Sequence, residues 1–168
     1  MSWHAIAATA IGLGLALTNQ TVSAQDAKDP STDAMIEALA PAAPRTRSLR
    51  NLQAQPRQID LNIQFDFDSS RLRPESLELV ERLAAALKSD RLRDQRFRIE
   101  GHTDAKGRAD YNQQLSDRRA DAVRRQLTQS GVTPERLLAT GKGATEPLNP
   151  QDPLAPENRR VRILALEP

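Results

Sequence analysis

Residues 59 to 68 alternate without interruption: Ile59, Leu61, Ile63, Phe65 and Phe67 are apolar, and Asp60, Asn62, Gln64, Asp66 and Asp68 are polar. Successive side chains of a strand point to opposite faces, so the run predicts a strand with one face buried and the other polar. A sheet of such strands needs cover on one side, and the next segment supplies it. Pro74 suits a first helical turn, and Leu77, Val80, Leu83, Ala84 and Leu87 recur at three- and four-residue spacings, which predicts a helix ending near Lys88 to Asp90. Arg96 to Glu100 alternates again and runs into Gly101-His102-Thr103-Asp104, followed by a turn over Asp104 to Ala109 with Gly107 as its flexible point. A second helix is expected from Ala109 to Gln129, with Gly131 placed to end it. Leu137 to Thr140 suggests a short third strand, Gly141-Lys142-Gly143 a turn, Glu146 to Glu157 a proline-rich loop, and Val161, Ile163 and Leu166 a last strand. The order gives an α+β fold, a two-layer β-α-β-α-β-β sandwich with both helices on one face of a small mixed sheet.

The 168 residues suffice for one domain plus short extras. The first 24 residues differ from the rest. Ala5 to Leu17 is uncharged and apolar, and Val22-Ser23-Ala24 places small residues before Gln25, as in a secretory signal peptide. The apolar run is shorter than the roughly 20 residues a spanning helix needs, so cleavage is expected, leaving a protein soluble outside the cytoplasm. Gln25 to Pro56 mixes Asp, Ser, Thr, Ala and proline with Arg45, Arg47 and Arg50. It reads as a flexible linker in which only Met35 to Ala40 could form a helical turn or two. The globular domain is expected over residues 57 to 168.

Composition removes several function classes. Without cysteine there is no disulfide, thiolate nucleophile or Cys-ligated zinc, and with only His4 and His102 there is no multi-histidine metal site. Neither a metal nor a cofactor is expected. The 24 Lys plus Arg exceed the 22 Asp plus Glu by only two, and Arg118, Arg119, Arg124 and Arg125 are interspersed with Asp110, Asp117 and Asp121. With five aromatic side chains in all, no stacking platform for nucleic acid is available. His102, Asp104 and Ser116 form a triad only on paper, because Ser116 falls mid-helix rather than on a strained elbow. Gly141-Lys142-Gly143 lacks the upstream glycine and following hydroxyl of a phosphate loop. An enzyme is therefore not expected.

One residue breaks the pattern. On the second helix Arg119 lies within the apolar stripe formed by Leu115, Ala122, Val123 and Leu127. A guanidinium there must reach the rim or find an acceptor. Asp104, across the turn that feeds the helix, is the nearest candidate in the topology. Such a pair would suit a ligand bearing a carboxylate for Arg119 and an ammonium for Asp104, or it could be a purely structural ion pair. Thr103 and Asn112 add a hydroxyl and an amide near the same rim, and Asp68 ends the first strand beside them.

The runs Gly101-His102-Thr103-Asp104-Ala105-Lys106-Gly107 and Tyr111 to Val123, with Phe65-Asp66-Phe67-Asp68-Ser69-Ser70 before them and Asn158-Arg159-Arg160-Val161 after, resemble the OmpA-like C-terminal domain family, which OmpA shares with Pal and MotB. The resemblance covers roughly Ile59 to Leu166. It implies the same two-layer fold and a periplasmic domain that binds peptidoglycan without cleaving it, through the meso-diaminopimelate of the stem peptide. By position in the motif it implies that Asp104 meets the ligand ammonium and Arg119 its carboxylate. Thr103, Asn112 and Asp68 would complete the pocket, with a further positive group from Arg159 or Arg160, and His102 would support the loop. The implied location is the periplasm, associated with the wall and peripheral to the outer membrane. The alternative is a regulatory protein that binds another envelope protein through residues 25 to 56, wall binding being secondary.

Overall fold

The computed structural model describes residues 29 to 41 and 57 to 167. The expected signal peptide and most of the linker lie outside the described residues. Within them, part of the linker is helical. Helix α1 (Thr32–Leu39) starts on Ser31, whose hydroxyl accepts from the Ala34 amide at 3.2 Å, and carries Asp33 in its first turn. Met35 and Leu39, one turn apart, are both fully buried in the main core. The helical turn or two expected over Met35 to Ala40 is thus a docked helix that begins at Thr32, and the flexible reading does not hold over it. Two apolar side chains at helical spacing anchor it although its composition is otherwise that of a linker.

Strand β1 (Gln58–Leu61) is shorter than the alternation suggests. It pairs antiparallel with β4 (Val161–Leu166), and the ladder stops at Leu61 opposite Val161, where β4 begins. Beyond that point the chain folds back on itself. The Asp66 amide donates to the Arg71 carbonyl at 3.0 Å, the Arg73 amide to the Gln64 carbonyl at 3.1 Å, and Phe65 bridges Leu72. Ile63 stays buried, but Phe67 at the tip is 99% exposed. The alternation therefore continues through a small hairpin arm rather than a sheet strand.

Helix α2 (Pro74–Lys88) begins on proline and buries Val80, Leu83, Ala84 and Leu87, as the spacing predicts, with Leu79 fully buried in place of the expected Leu77, which is only half-buried. Strand β2 (Arg96–His102) lies between β4 and β3 (Leu137–Gly143), giving the sheet order β1-β4-β2-β3. Only β2 and β3 run parallel, and a parallel pair needs a crossover. Helix α3 (Ala109–Gln129) supplies it, ending before Gly131 at a φ of 89°. The two helices meet at their C-terminal ends, where Lys88 Nζ donates to the Ser130 carbonyl at 2.8 Å.

β3 runs through Gly143, so Gly141-Lys142-Gly143 is strand rather than turn. The glycines are there for close packing. A Cβ on Gly101 would lie 2.3 Å from the Ser116 carbonyl oxygen, and one on Gly141 2.4 Å from the Asp117 amide nitrogen. Arg136, in a short 3-10 turn before β3, closes the opposite end. It donates to the carbonyls of Gln95, Leu87 and Leu92 at 2.8 to 2.9 Å, with its guanidinium over the Phe97 ring. Phe97, Ile99, Val161 and Ile163 face the helices, and Arg98, Glu100 and Arg162 alternate with them on the other side of the sheet.

If α1 is part of the core, Met35→Ala should lower the free energy of unfolding by about 2–4 kcal/mol. Urea denaturation of the full chain measures this, and an unchanged midpoint would mean that α1 contributes nothing to the fold.

Candidate functional site

The ends of β2 and α3 set one wall of the site. After β2 the Thr103 amide donates to the Gly143 carbonyl at 2.8 Å, and the chain turns at Asp104, whose Oδ1 accepts from the Lys106 amide at 3.1 Å. Asn112, buried on the first turns of α3, donates its side-chain amide to the carbonyls of Asp104 and Lys106 at 3.2 and 3.0 Å. Its amide group is therefore committed to holding the turn. The Thr103 hydroxyl is buried without a hydrogen-bond partner.

The remaining oxygen of Asp104 accepts from Arg159 Nη1 at 2.7 Å. This corrects the expected pairing of Asp104 with Arg119. Arg119 instead donates Nε to the Ser69 carbonyl at 3.1 Å and lies 4.9 Å from the centre of the Phe65 ring. Its Nη1 and Nη2 have no hydrogen-bond acceptor among the described residues. Burial and the neighbouring Arg159 hold Arg119 below the usual arginine range, and the charges of Asp104 and Asp68 partly offset them. Asp68 is exposed at the turn of the hairpin arm with a φ of 52°, a left-handed conformation uncommon outside glycine, asparagine and aspartate.

Sequence could not separate Arg159 from Arg160, but the structure does. The Arg159 side chain is half-exposed at the cleft, whereas Arg160 is buried and fully engaged. Its Nε donates to Asp60 Oδ1 at 2.8 Å and its other nitrogens to the carbonyls of Asn158 and Glu146. The division depends on Asn158, which sequence reading treats only as part of a motif. Asn158 is fully buried, accepts from the Asn149 amide at 2.8 Å and donates to the Asp152 carbonyl at 2.9 Å, so it shapes the proline-rich loop.

Between this loop and the 60–65 segment lies a cleft of about 650 Å³, lined by Asp60 to Phe65, Leu148, Pro156, Glu157, Arg119, Arg159 and Arg160. Of the seven predicted site residues, three meet at its end: Arg119, Arg159 and, through Arg159, Asp104. Arg160 lines the cleft while tied to Asp60. Asp68 stands outside it, and Thr103 and Asn112 form part of the turn behind Asp104.

The resemblance implies that His102 supports the loop, and its ring takes no part in this. The backbone amide does, donating to the Arg160 carbonyl at 2.9 Å, while both ring nitrogens are buried without partners among the described residues. Burial, reinforced by Arg160 and Arg162, pushes its pKa down to about 4. Nor is there a nucleophile beside it, because the Ser116 hydroxyl donates to the Gln113 carbonyl and accepts from the Gly143 amide.

Two measurements follow from these positions. Arg160→Ala should destabilise the fold by about 1–3 kcal/mol by removing the buried donor to Asp60 and to the Asn158 and Glu146 carbonyls, whereas Arg159→Ala should change stability by less than about 1 kcal/mol. Equal effects in thermal or urea melts would overturn the division of roles. Second, the unfolded chain binds a proton at His102 near pH 6.5 and the folded chain only near 4, so its contribution is complete above pH 6.5 and is lost as pH falls through that window. Urea titrations at pH 7 and 4.5 in EDTA-containing buffer should show a loss in wild type larger by up to about 3 kcal/mol than in His102→Gln. Equal losses would exclude the imidazole as the titrating group.

Residues 64 to 162 match the OmpA family model. Outer membrane porin F of Pseudomonas fluorescens is 38% identical over 110 residues, covering 64% of this chain and 33% of the relative. The peptidoglycan-associated lipoprotein of Pseudomonas aeruginosa is 38% identical over 101 residues, 59% of this chain and 58% of the relative. The chain thus spans between a third and three fifths of these relatives. The periplasmic domain of Helicobacter pylori MotB superposes with a TM-score of 0.57 at 25% identity, over 70% of this chain and 87% of that one. With the two-layer fold and these matches together, the chain belongs to the OmpA family, whose domains are structural or binding modules rather than enzymes.

Proposed function

We propose that the cleft binds peptidoglycan non-covalently by taking the zwitterionic end of meso-diaminopimelate in the stem peptide, and that the protein works in the periplasm, associated with the wall beside the outer membrane. The observation that carries this reading is the state of Arg119. Its Nε is fixed to a backbone carbonyl and its guanidinium carbon lies over the Phe65 ring, yet Nη1 and Nη2 have no acceptor among the described residues. A guanidinium held this way offers a preoriented two-donor fork to a carboxylate. Asp104 supplies the complementary charge. An ionised carboxylate has about four acceptor positions, and among the described residues two are used, by the Lys106 amide and Arg159. A ligand ammonium can take the free positions or replace Arg159. An amine and a carboxylate on one carbon satisfy both groups together, which neither a simple acid nor a simple amine does.

The family supports wall binding at the coarser level, through a relative named for its association with peptidoglycan. Nothing in the site supports catalysis of the wall's bonds, since the lone buried histidine adjoins no activated nucleophile.

Co-sedimentation with purified diaminopimelate-type sacculi tests the proposal. Asp104→Ala and Arg119→Ala, each folded by circular dichroism, should bind at least about tenfold more weakly than wild type, the effect of removing one partner of a desolvated charge contact. Folded variants that sediment like wild type would refute the pocket. A wild type that stays in solution would refute wall binding and move the role to a protein partner of residues 25 to 56.

A further inference from the structure

The proposed pocket leaves one cluster unexplained. Glu100 and His102 lie two residues apart on β2 and so face the same side of the sheet. Their side chains are 5% and 1% exposed. Neither imidazole nitrogen has a hydrogen-bond partner among the described residues, and Nε2 lies 3.8 Å from Glu100 Oε2. Buried polar groups are nearly always satisfied, so a fully orphaned imidazole beside a buried carboxylate calls for an explanation. Glu100 is no better served. Its neighbouring cations, Arg98 at 3.9 Å and Lys142 at 3.7 Å, stand beyond hydrogen-bonding distance.

Glu146, the first glutamate after β3, closes the third side. One ligand atom from each of Glu100, His102 and Glu146 lies within 4.8 Å of the others. Lys142 Nζ sits between the carboxylates, 2.8 Å from Glu146 and 3.7 Å from Glu100, so the two carboxylates already share a cation. We propose that Glu100, His102 and Glu146 form a binding site for a zinc-class divalent ion, which enters by displacing the Lys142 ammonium.

One imidazole nitrogen and two carboxylate oxygens suit Zn²⁺ and leave a fourth position for water, whereas Ca²⁺ and Mg²⁺ prefer oxygen alone. Ligand atoms about 2.0–2.2 Å from one ion stand roughly 3.5 Å apart, so the cluster must contract by about 1 Å. The two groups that must move are the freest: Glu146 is exposed, and Lys142 has a partly exposed four-carbon stem. Arg162, 3.8 Å from Glu146, and Arg98 remain nearby and limit the affinity. The absence of cysteine and of a second histidine in the domain excludes a multi-histidine site but not this donor set, because the two glutamates come together only in the fold.

The ion would add a tie between two elements already joined where the Ala105 amide donates to the Pro153 carbonyl at 2.9 Å and Arg159 meets Asp104. Glu100 and His102 lead into Asp104, and Glu146 opens the loop that carries Arg159, so an ion held by all three would bear on the Asp104–Arg159 pair beside the cleft. The zinc site does not depend on what the cleft binds.

Isothermal titration of ZnCl₂ into the EDTA-treated, dialysed full chain at pH 7.5 tests it, with variants checked by circular dichroism. Wild type should bind one Zn²⁺ saturably, and His4→Gln, which removes the only other histidine, should bind equally well. Glu146→Gln, at an exposed position, should weaken binding at least tenfold, and Lys142→Met should tighten it severalfold by removing the competing ammonium. On Zn²⁺ addition the ring proton signals of His102 should shift. No saturable binding by wild type, equal affinity in Glu146→Gln, loss in His4→Gln or weaker binding in Lys142→Met would each overturn the site.

Discussion

The close approach of α3 to the parallel pair β2 and β3 is the contact on which the rest of the molecule depends. Gly101 and Gly141 let the helix backbone near the sheet, and the same helical turn then satisfies the backbone of the edge strand. Gln113 donates to the Gly141 carbonyl at 2.9 Å, Asp117 accepts from the Gly141 amide at 2.6 Å and Ser116 accepts from the Gly143 amide at 2.9 Å. An edge strand normally presents such groups to solvent or to another chain. Here three polar side chains in one turn of α3 occupy them, which fixes the rotation and height of the helix. Arg119 follows Ser116 by three residues, so its position at the cleft is set by the hook that fastens the helix to β3.

Charge is organised by a second constraint. Asp60 on β1 accepts from both Arg160 and Arg162, so one carboxylate holds the start of β4 against β1. With Arg160 drawn inward, Arg159 is directed to the other side of the chain and meets Asp104. Two adjacent arginines with the same chemistry thus acquire different work, one binding strand to strand and the other bounding the cleft. Asn158 makes this possible by fixing the backbone immediately before them.

How much of this was legible in the sequence varied with the range of the interaction. The long helices and the last strand were readable because periodicity is a local property, and Arg119 stood out because it violated one. The limit of β1 was not readable, since it depends on where β4 begins a hundred residues later. Gly141-Lys142-Gly143 looked like a turn because glycine signals turns locally, whereas here it records the closeness of α3. The partner of Asp104 was misassigned for a similar reason: Arg119 is near in sequence, but Arg159 arrives through a loop whose path is set by Asn158. A helical turn near Met35 to Ala40 was readable, but its start at Thr32 and its docking were not, because Met35 and Leu39 enter the core while the residues around them read as a linker.

The docking of α1 also determines how the domain would carry load. Arg57, at the start of β1, donates to the carbonyl of Leu39 at the end of α1, so the chain leaves and re-enters the domain at nearly the same place. The sixteen peptide links from Pro41 to Arg57 therefore add nothing to the distance an attachment at the N-terminus can span while α1 is seated. A pull from that end falls on α1, held by Met35 and Leu39 in the core and by the ion pairs Asp29–Arg82 and Glu37–Arg91, before it reaches β1. If α1 peels away, those links add up to roughly 50 Å of length in one step, so the short helix acts as a mechanical fuse in series with the domain.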